Sequence, residues 1–432
     1  MNHTSESSFS EPTNPWKRPS ALPTPARGSE ILAAVLFLLS SAAIPFSLVN
    51  ETVAIVGWSL LIAGGYFFTR RSRALMGLVI GVSLLGAFLP GVLLPLKTLY
   101  YPAVGAILAS MCVGCSAGAY FQTVSKRFWV LPILSVISGV AAYAVTGDWL
   151  IAVTSLALLP AVLLLSVSTY MGDGCTTVIC YCIGGLLGAV AVLIALWIWR
   201  TYGSLGPNLL RSLLDTWKEN FVQAQIASRG ELIAMIEERI TSGELTEEAL
   251  ATMETLKTSF SELMSDGVIR RSMDTVFQTL PAILFLCCSI PAYLAQRLLN
   301  ASYTTNGMAT VVTPESEFFT MSLPSAILYA VSLFLSVLAA DGIGFLAMVA
   351  SNLCLILLPG MLLLGLRAFK QQFGSRGAAS GRVVTLLLIV MLCCATSGML
   401  YLIAFFGAYM RIMQAIHRAM KKKMNGGGSG TP

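Results

Sequence analysis

The side chains best equipped for chemistry in this chain are ten cysteines, a few aspartates and one asparagine set among apolar residues. Cys112 and Cys115 form C-x-x-C, and Cys287-Cys288 and Cys393-Cys394 are adjacent pairs. A redox pair of this kind needs a helix N-terminus near water, where the thiolate is stabilised. Here the surroundings read ILASMCVGCSAGAY, which favours small residues at a dry helix contact. Only His3 and His417 are histidines, and both lie outside the apolar runs, so no Cys/His metal site is expected. Asp148, Asp173, Asp274 and Asp341 sit at the edges of apolar runs, as boundary residues do. Asp341-Gly342 reads as a tight turn, with a ligand or proton site facing a cavity as the second reading. Asn352 is the clearest polar residue in the middle of a run. It reads as an inter-helix hydrogen-bonding residue first and a substrate contact second. With Trp149, Asn352 and Asp341 are the residues expected to face a polar cavity if the chain has one.

Ionisable residues deep in a membrane segment mark function by default, and the runs hold almost none. No G-x-x-x-x-G-K-[ST] nucleotide loop and no H-E-x-x-H pair is present. The expectation is a protein that is not an enzyme and that has no cofactor or metal of its own.

The elements that would position these residues follow from composition. Of 432 residues, 56% are hydrophobic and 11% charged. A soluble domain carries about 25% charged residues, so water is the wrong solvent for this surface and lipid the right one. A spanning helix needs about 20 apolar residues. Candidate runs are 30–49, 53–69, 75–95, 101–121, 128–146, 149–169 and 175–199, then 276–296, 322–340, 342–366 and 383–408. Residues 1–28, rich in Ser, Pro and Thr, read as a disordered cytoplasmic tail. The domains are thus that tail, an N-terminal bundle over 29–200, a segment over 201–273, a C-terminal bundle over 274–410 and a basic tail over 411–432. The expected class is all-α, a polytopic transmembrane bundle of about 10–11 spans with an extramembrane amphipathic segment.

Within 207–272, Leu209, Leu210, Leu213, Leu214, Trp217 and Phe221 recur at helical spacing, as do Leu250, Met253, Leu256, Phe260 and Met264. Two or three amphipathic helices are expected, with a break at Thr241-Ser242-Gly243, a start at Thr246-Glu247-Glu248 and a stop at Gly267. This segment has seven basic and eleven acidic residues, a net charge of −4. Gly77 and Gly81, Gly114 and Gly118, and Gly184 and Gly188 are spaced for close helix approach.

Lys and Arg prefer cytoplasmic loops. Arg70, Arg71 and Arg73, then Lys126 and Arg127, then Lys17, Arg18 and Arg27 all favour a cytoplasmic N-terminus. Ten spans would put 21 basic residues inside and 6 outside, against 13 and 14 for eleven spans. Charge therefore favours ten, with 201–273 and the C-terminal tail both inside, whereas hydropathy favours eleven. Met410, Ile412, Met413, Ile416 and Met420 make the start of that tail a basic amphipathic helix suited to an anionic leaflet.

From residue 281 the chain reads PAILFLCCSIPAYLAQRLLN, a polar linker, FFTMSLPSAILYAVSLFLSVLA, NLCLILLPGMLLLGLRAFKQQF and FFGAYMRIMQAIHR. This order resembles the YybS-like membrane proteins of bacteria, with Pro324, Asn352 and Gly365 as the positions to align. The resemblance implies a multi-span first half, a polar helical middle and a closing group of spans. The first half is similar in outline to the substrate-binding subunits of vitamin-type uptake systems, which hold a small molecule between helices and depend on a separate ATPase. A transport-type protein in the plasma membrane is then expected. Its partners would be the bilayer, a small molecule and a separate ATPase or regulatory protein, with no nucleic acid. The alternative is a scaffold or regulator that docks a partner through 207–272.

Overall fold

The computed structural model describes residues 27–69, 72–93, 101–125, 127–241, 247–306, 308, 319–338, 345–373 and 397–426. Regular structure among them is entirely helical. The first half comprises α1 (Arg27–Ser47), α2 (Glu51–Thr69), α3 (Arg73–Leu93), α4 (Tyr101–Ser125), α5 (Val130–Thr146), α6 (Trp149–Val153), α7 (Leu159–Met171) and α8 (Cys175–Tyr202). A polar trio follows, α9 (Pro207–Thr241), α10 (Glu247–Leu263) and α11 (Asp266–Gln278). The chain then forms α12 (Leu280–Thr305), α13 (Leu323–Leu338), α14 (Phe345–Phe373) and α15 (Ser397–Gly426).

Among the described residues, eight helical stretches are long and apolar enough to cross a membrane, with α6 and α7 forming one of them across a single 3₁₀ turn. Three shorter apolar helices accompany them, Arg73–Phe88, Val130–Thr146 and Leu323–Leu338. Each of the eleven apolar runs overlaps one of these helices, although residues 94–95, 339–340, 342–344 and 383–396 of the runs lie outside the described residues. Lipid leaves backbone groups no water to bond with, so an apolar chain must satisfy them internally, and the helix does this segment by segment. Phe67, Leu85, Val140, Phe334 and Leu402 are more than three-fifths exposed, as suits side chains solvated by lipid. The protein is a multi-pass integral membrane protein.

Helix ends follow local chemistry. Pro160 and Pro281 sit in the first turns of α7 and α12, where no N–H is needed. Gly147 (φ 66°) and Gly172 (φ 78°) take the left-handed conformation that closes α5 and α7.

Cross-helix contacts fix the direction of each helix. Ser29 bonds Tyr120 at 3.0 Å while Gly114 abuts Ser40, so α1 and α4 are antiparallel. Gly114 faces Leu158, Gly118 faces Val162 and Gln122 accepts from Ser166, so α7 runs parallel to α4. Gly185 of α8 lies on the backbone of Pro160 and Ala161, and Arg200 pairs with Asp148 at the turn before α6. The end of α8 therefore lies opposite the start of α1. The polar trio sits at that far end. Tyr329 donates to the Tyr401 carbonyl at 3.4 Å and Arg411 to the Met321 carbonyl at 2.8 Å, so α15 runs against α13 and brings its basic end back toward the near end.

This corrects the charge argument. The trio and the tail lie at opposite ends of the bundle, and the trio's seven basic residues gave a misleading count. The preference for cytoplasmic Lys and Arg holds for loops shorter than roughly 60 residues, and the stretch between α8 and α12 is longer than that. Arg411 is likewise no free tail charge, because α15 is one continuous helix in which Arg411 satisfies a carbonyl just ahead of α13.

Packing divides into two clusters. A large one joins α1–α5, α7, α8 and α12, with Phe37, Leu61, Leu131, Leu158, Leu165 and Leu298 among its fully buried members. Cys112, Cys115, Cys182 and Cys288 meet inside it. A small one holds Ala326, Tyr329, Cys354, Met361, Ala404 and Ala408 of α13–α15. Of the three glycine pairs, only Gly114 and Gly118 lie at a helix contact. Nothing lies within 4 Å of where a Cβ would stand at Gly77, Gly81, Gly184 or Gly188. On α8 the contact is made by Gly185 instead.

The polar trio is held by ion pairs. Arg270 of α11 forks onto Glu219 of α9 at 2.9 and 3.1 Å, Lys218 meets Asp274, Arg229 meets Asp266 and Lys257 meets Glu237. α9 reaches Thr241 and α10 begins at Glu247, while Ser242, Gly243 and Thr246 of the expected break and start lie outside the described residues. Gly267 does not stop a helix but lies in the first turn of α11, after Ser265. The Arg270 fork, aided by Gln223, holds the Glu219 carboxyl below the usual carboxylate range. A depressed carboxylate stabilises the fold above its ordinary pKa and loses that contribution as pH falls through it. Spin labels at the exposed positions 220 and 272 should therefore give a narrow distance at pH 7. That distance should broaden below about pH 4 and in about 1 M salt, which shrinks the screening length to about 3 Å. An unchanged distribution in both conditions would show that packing alone joins α9 to α11.

Candidate functional site

The two clusters meet along α12 and α14, and a cleft of about 520 Å³ opens between them near the basic end. It is lined by Leu75 of α3, by Tyr293, Arg297, Asn300, Ala301 and Thr304 of α12, by Phe319, and by Leu363 and Arg367 of α14. Helical spacing explains the row on α12. Residues at i, i+4, i+7, i+8 and i+11 share one face, and 293, 297, 300, 301 and 304 are such a set.

Arg297 is fixed in orientation. Its Nε donates to the Tyr293 hydroxyl at 3.2 Å, and its guanidinium lies 5.3 Å from the centre of the Tyr293 ring. Such a cation–ring contact contributes about 0.5–1 kcal/mol at exposed sites and more when water is excluded. Tyr293 in turn meets the edge of Phe319 at 6.4 Å, and Thr320 bonds Thr176 of α8. Arg367 approaches from the second cluster. Both arginines lie inside helical stretches long and apolar enough to cross a membrane, Leu280–Thr305 and Phe345–Phe369. No described lining residue is acidic. The cleft thus has one cationic, hydrogen-bonding wall and one apolar wall.

Two of the three residues expected at a cavity are elsewhere. Asn352 Nδ2 donates to the Gln278 and Met348 carbonyls at 2.9 Å, and its Oδ1 accepts from the Ala282 N–H at 3.2 Å. It joins α14 to the end of α11 and the start of α12, fifteen residues before Arg367. Trp149 lies at the far end, with the Arg200 guanidinium 6.0 Å from its ring. Arg200 also binds Asp148, the N-cap of α6, and holds that carboxyl below its usual range. Asp341 lies outside the described residues. The structure therefore places neither Asn352 nor Trp149 in the lining of the cleft.

The sequence reading passed over two further features. Arg297 and Arg367 each stand one residue beyond the end assigned to an apolar run, so both read as loop charges. The stretch Gly114-Cys115-Ser116-Ala117-Gly118 has the G-x-S-x-G spacing of a nucleophile elbow. That motif needs an exposed serine on a strand-to-helix turn. Here Ser116 is buried mid-helix and donates to the Val113 carbonyl at 3.2 Å. Among the described residues, no group of three or more His, Cys, Asp or Glu is placed to hold a metal ion. No protein-family model, curated protein or solved structure matches the chain.

Proposed function

We propose that this chain is a transport-type membrane protein that captures a small molecule in the cleft between α12 and α14 and relies on a separate protein for energy. The observation that carries the reading is the cleft itself. It has the volume of a small-molecule site, about 300–1,000 Å³, and it lies where two separately packed clusters meet. Charged side chains within spanning segments mark substrate paths more often than structure alone requires. The layout of a multi-span half, a polar helical middle and a closing group of spans supports kinship with the YybS-like proteins.

The near end, with Arg73, Arg127 and the basic end of α15, is the cytoplasmic side of the plasma membrane in this reading, and the N-terminus lies there. The acidic trio then faces the other side, so an ATPase would engage the short loops near the cleft. One observation favours the scaffold reading: α10 borders a shallow hollow lined by Ala251, Thr255, Leu256 and Phe260, and Leu256 is half exposed.

Leu363→Trp would fill the cleft from its apolar wall. Small molecules extracted from the purified wild-type protein and from this variant should differ by at least one species, several-fold depleted in the variant. Identical extracts from two equally stable proteins would sink the capture reading.

A further inference from the structure

We propose that the last turns of α15 are a docking surface for anionic lipid, which seats this helix end in the headgroup layer of the leaflet at the near end. The inference goes beyond the capture reading and does not rest on it. Leu402, Phe405, Tyr409, Met413, Ile416 and Met420 recur in steps of three or four residues, so they share one side of the helix. Each is more than two-fifths exposed. Ala404, Ala408 and Ile412 take another side and pack into the small cluster. Leu402 and Phe405 belong to the outer surface that lipid solvates, within the stretch long and apolar enough to cross a membrane. The stripe runs on from them without a break, so whatever covers Met413, Ile416 and Met420 adjoins lipid already in place. Arg411 marks the level of the near end, because it bonds the Met321 carbonyl just ahead of α13. From Met413 to Met420 the helix rises about 10 Å, and amphipathic helices bury their apolar faces about 5–10 Å into the boundary between headgroups and acyl chains.

Charge names the class of lipid. His417 and Arg418 are exposed on these turns, and Lys421, Lys422 and Lys423 follow them in the sequence. No Asp or Glu occurs from Ser397 to Pro432, so the helix end carries no counter-charge of its own. Each Lys or Arg beside an anionic leaflet strengthens association about fivefold, whereas a zwitterionic leaflet offers this run no net opposite charge. A second copy laid along the same stripe would set two basic ends side by side, where they repel. Lipid of negative charge matches both features at once, with its acyl boundary against the stripe and its phosphates beside Arg418 and the lysines.

The test uses the full chain in lipid nanodiscs, with amide hydrogen exchange read by mass spectrometry over residues 411–424. One set of discs holds phosphatidylcholine alone, and the other holds two parts phosphatidylcholine to one part phosphatidylglycerol. Exchange should be at least tenfold slower in the mixed discs at about 0.15 M salt, and the difference should vanish in about 1 M salt, where the screening length is about 3 Å. The triple variant Lys421→Gln, Lys422→Gln, Lys423→Gln should lose most of the difference. Ile416→Ser, which breaks the stripe, should exchange several-fold faster than wild type in the mixed discs. Arg271→Gln, at the far end, should change nothing. Inorganic phosphate added to phosphatidylcholine discs should not reproduce the slowing. Unaltered melting of each variant establishes that it is folded, and the salt series on the wild type carries the test if a variant fails to fold.

Equal exchange in the two kinds of disc would overturn the proposal. Fast exchange in both would leave the stripe to a protein partner with an acidic groove, and slow exchange in both would show apolar docking that ignores headgroup charge. Slowing that survives in the triple glutamine variant and in high salt would overturn it as well, because the anionic lipid would then act from elsewhere on the bundle. Phosphate that slows exchange as much as phosphatidylglycerol would make the ligand a soluble anion. None of these outcomes depends on what the cleft holds, so the extraction experiment with Leu363→Trp can fail while this proposal stands, and the reverse.

Discussion

Replacing Gly407 with valine should separate α15 from α14 and open the small C-terminal cluster. A Cβ at Gly407 would stand 2.3 Å from the Met361 carbonyl oxygen and 2.6 Å from the Gly365 nitrogen. A Cβ at Gly365 would stand 2.1 Å from the Ile403 carbonyl oxygen. These neighbours are backbone atoms of two long helices, so no side chain can rotate away and the helices themselves must move. Overpacking a core with room to adjust costs about 1–3 kcal/mol. Here the adjustment is a helix displacement, so the cost belongs at or above the top of that range. Little resists the displacement, because the cluster has only six fully buried apolar residues among those described. Lipid replaces lost helix contacts readily, since tails are as apolar as leucine and association in membranes depends on close packing. Cys354, 2% exposed between α13 and α15, reports the outcome. Its alkylation by N-ethylmaleimide, mapped by peptide mass, should rise more than tenfold in Gly407→Val and in Gly365→Val. Gly77→Val, with nothing within 4 Å, should leave it unchanged. Cys354 protected equally in all four proteins would show that α14 and α15 do not meet through these glycines.

The sequence reading and the structure agree most where chemistry is collective. Eleven apolar runs correspond to eleven apolar helical stretches because lipid permits little else, and the trio lies where apolar residues recur at helical spacing in a polar segment. The same reading failed at the single residues that matter for function. Run ends were placed at the first charge, after Gln296 and Leu366. A backbone hydrogen-bond ladder does not stop at a charge, however, and α12 and α14 continue to Thr305 and Phe373. Two loop arginines thus became the cationic wall of the cleft. The periodic set 293, 297, 300, 301 and 304 was visible in the sequence, but its partner wall on α3 and α14 was not, because which helices adjoin is a property of packing. Glycine spacing failed similarly. G-x-x-x-G states that two helices can approach and does not say that a second helix is there, which is why Gly114 and Gly118 are in contact and Gly77 and Gly81 are not.

Asn352→Leu should weaken the cleft without touching it. Asn352 accepts from Ala282 and donates to Gln278, and these two groups belong to helix ends that have no other helical partner. Leucine matches the volume and leaves both unpaired. An orphaned buried polar group costs about 1–3 kcal/mol, yet inter-helix hydrogen bonds measured in a membrane average about 0.6 kcal/mol, because unfolded helices find other partners. A loss of about 1–2 kcal/mol for the two together is therefore expected. The functional consequence comes from register. Ala282 precedes Arg297 by fifteen residues and Asn352 precedes Arg367 by the same number, so on two parallel helices the clasp at one end sets the arginines level about 22 Å away. Freed of the clasp, the helices can slide or splay, and the two walls of the cleft lose their common level. Retention of the molecule that Leu363→Trp strips from the cleft should drop several-fold in Asn352→Leu, and amide exchange should quicken at 276–284. Asn352→Asp should lose affinity as well, since a carboxylate still accepts from Ala282 but repels the Gln278 and Met348 carbonyls. Faster exchange with unchanged retention would mean that Asn352 only ties helix ends together, and that the level of the two arginines is set by the packing of α12 against α14.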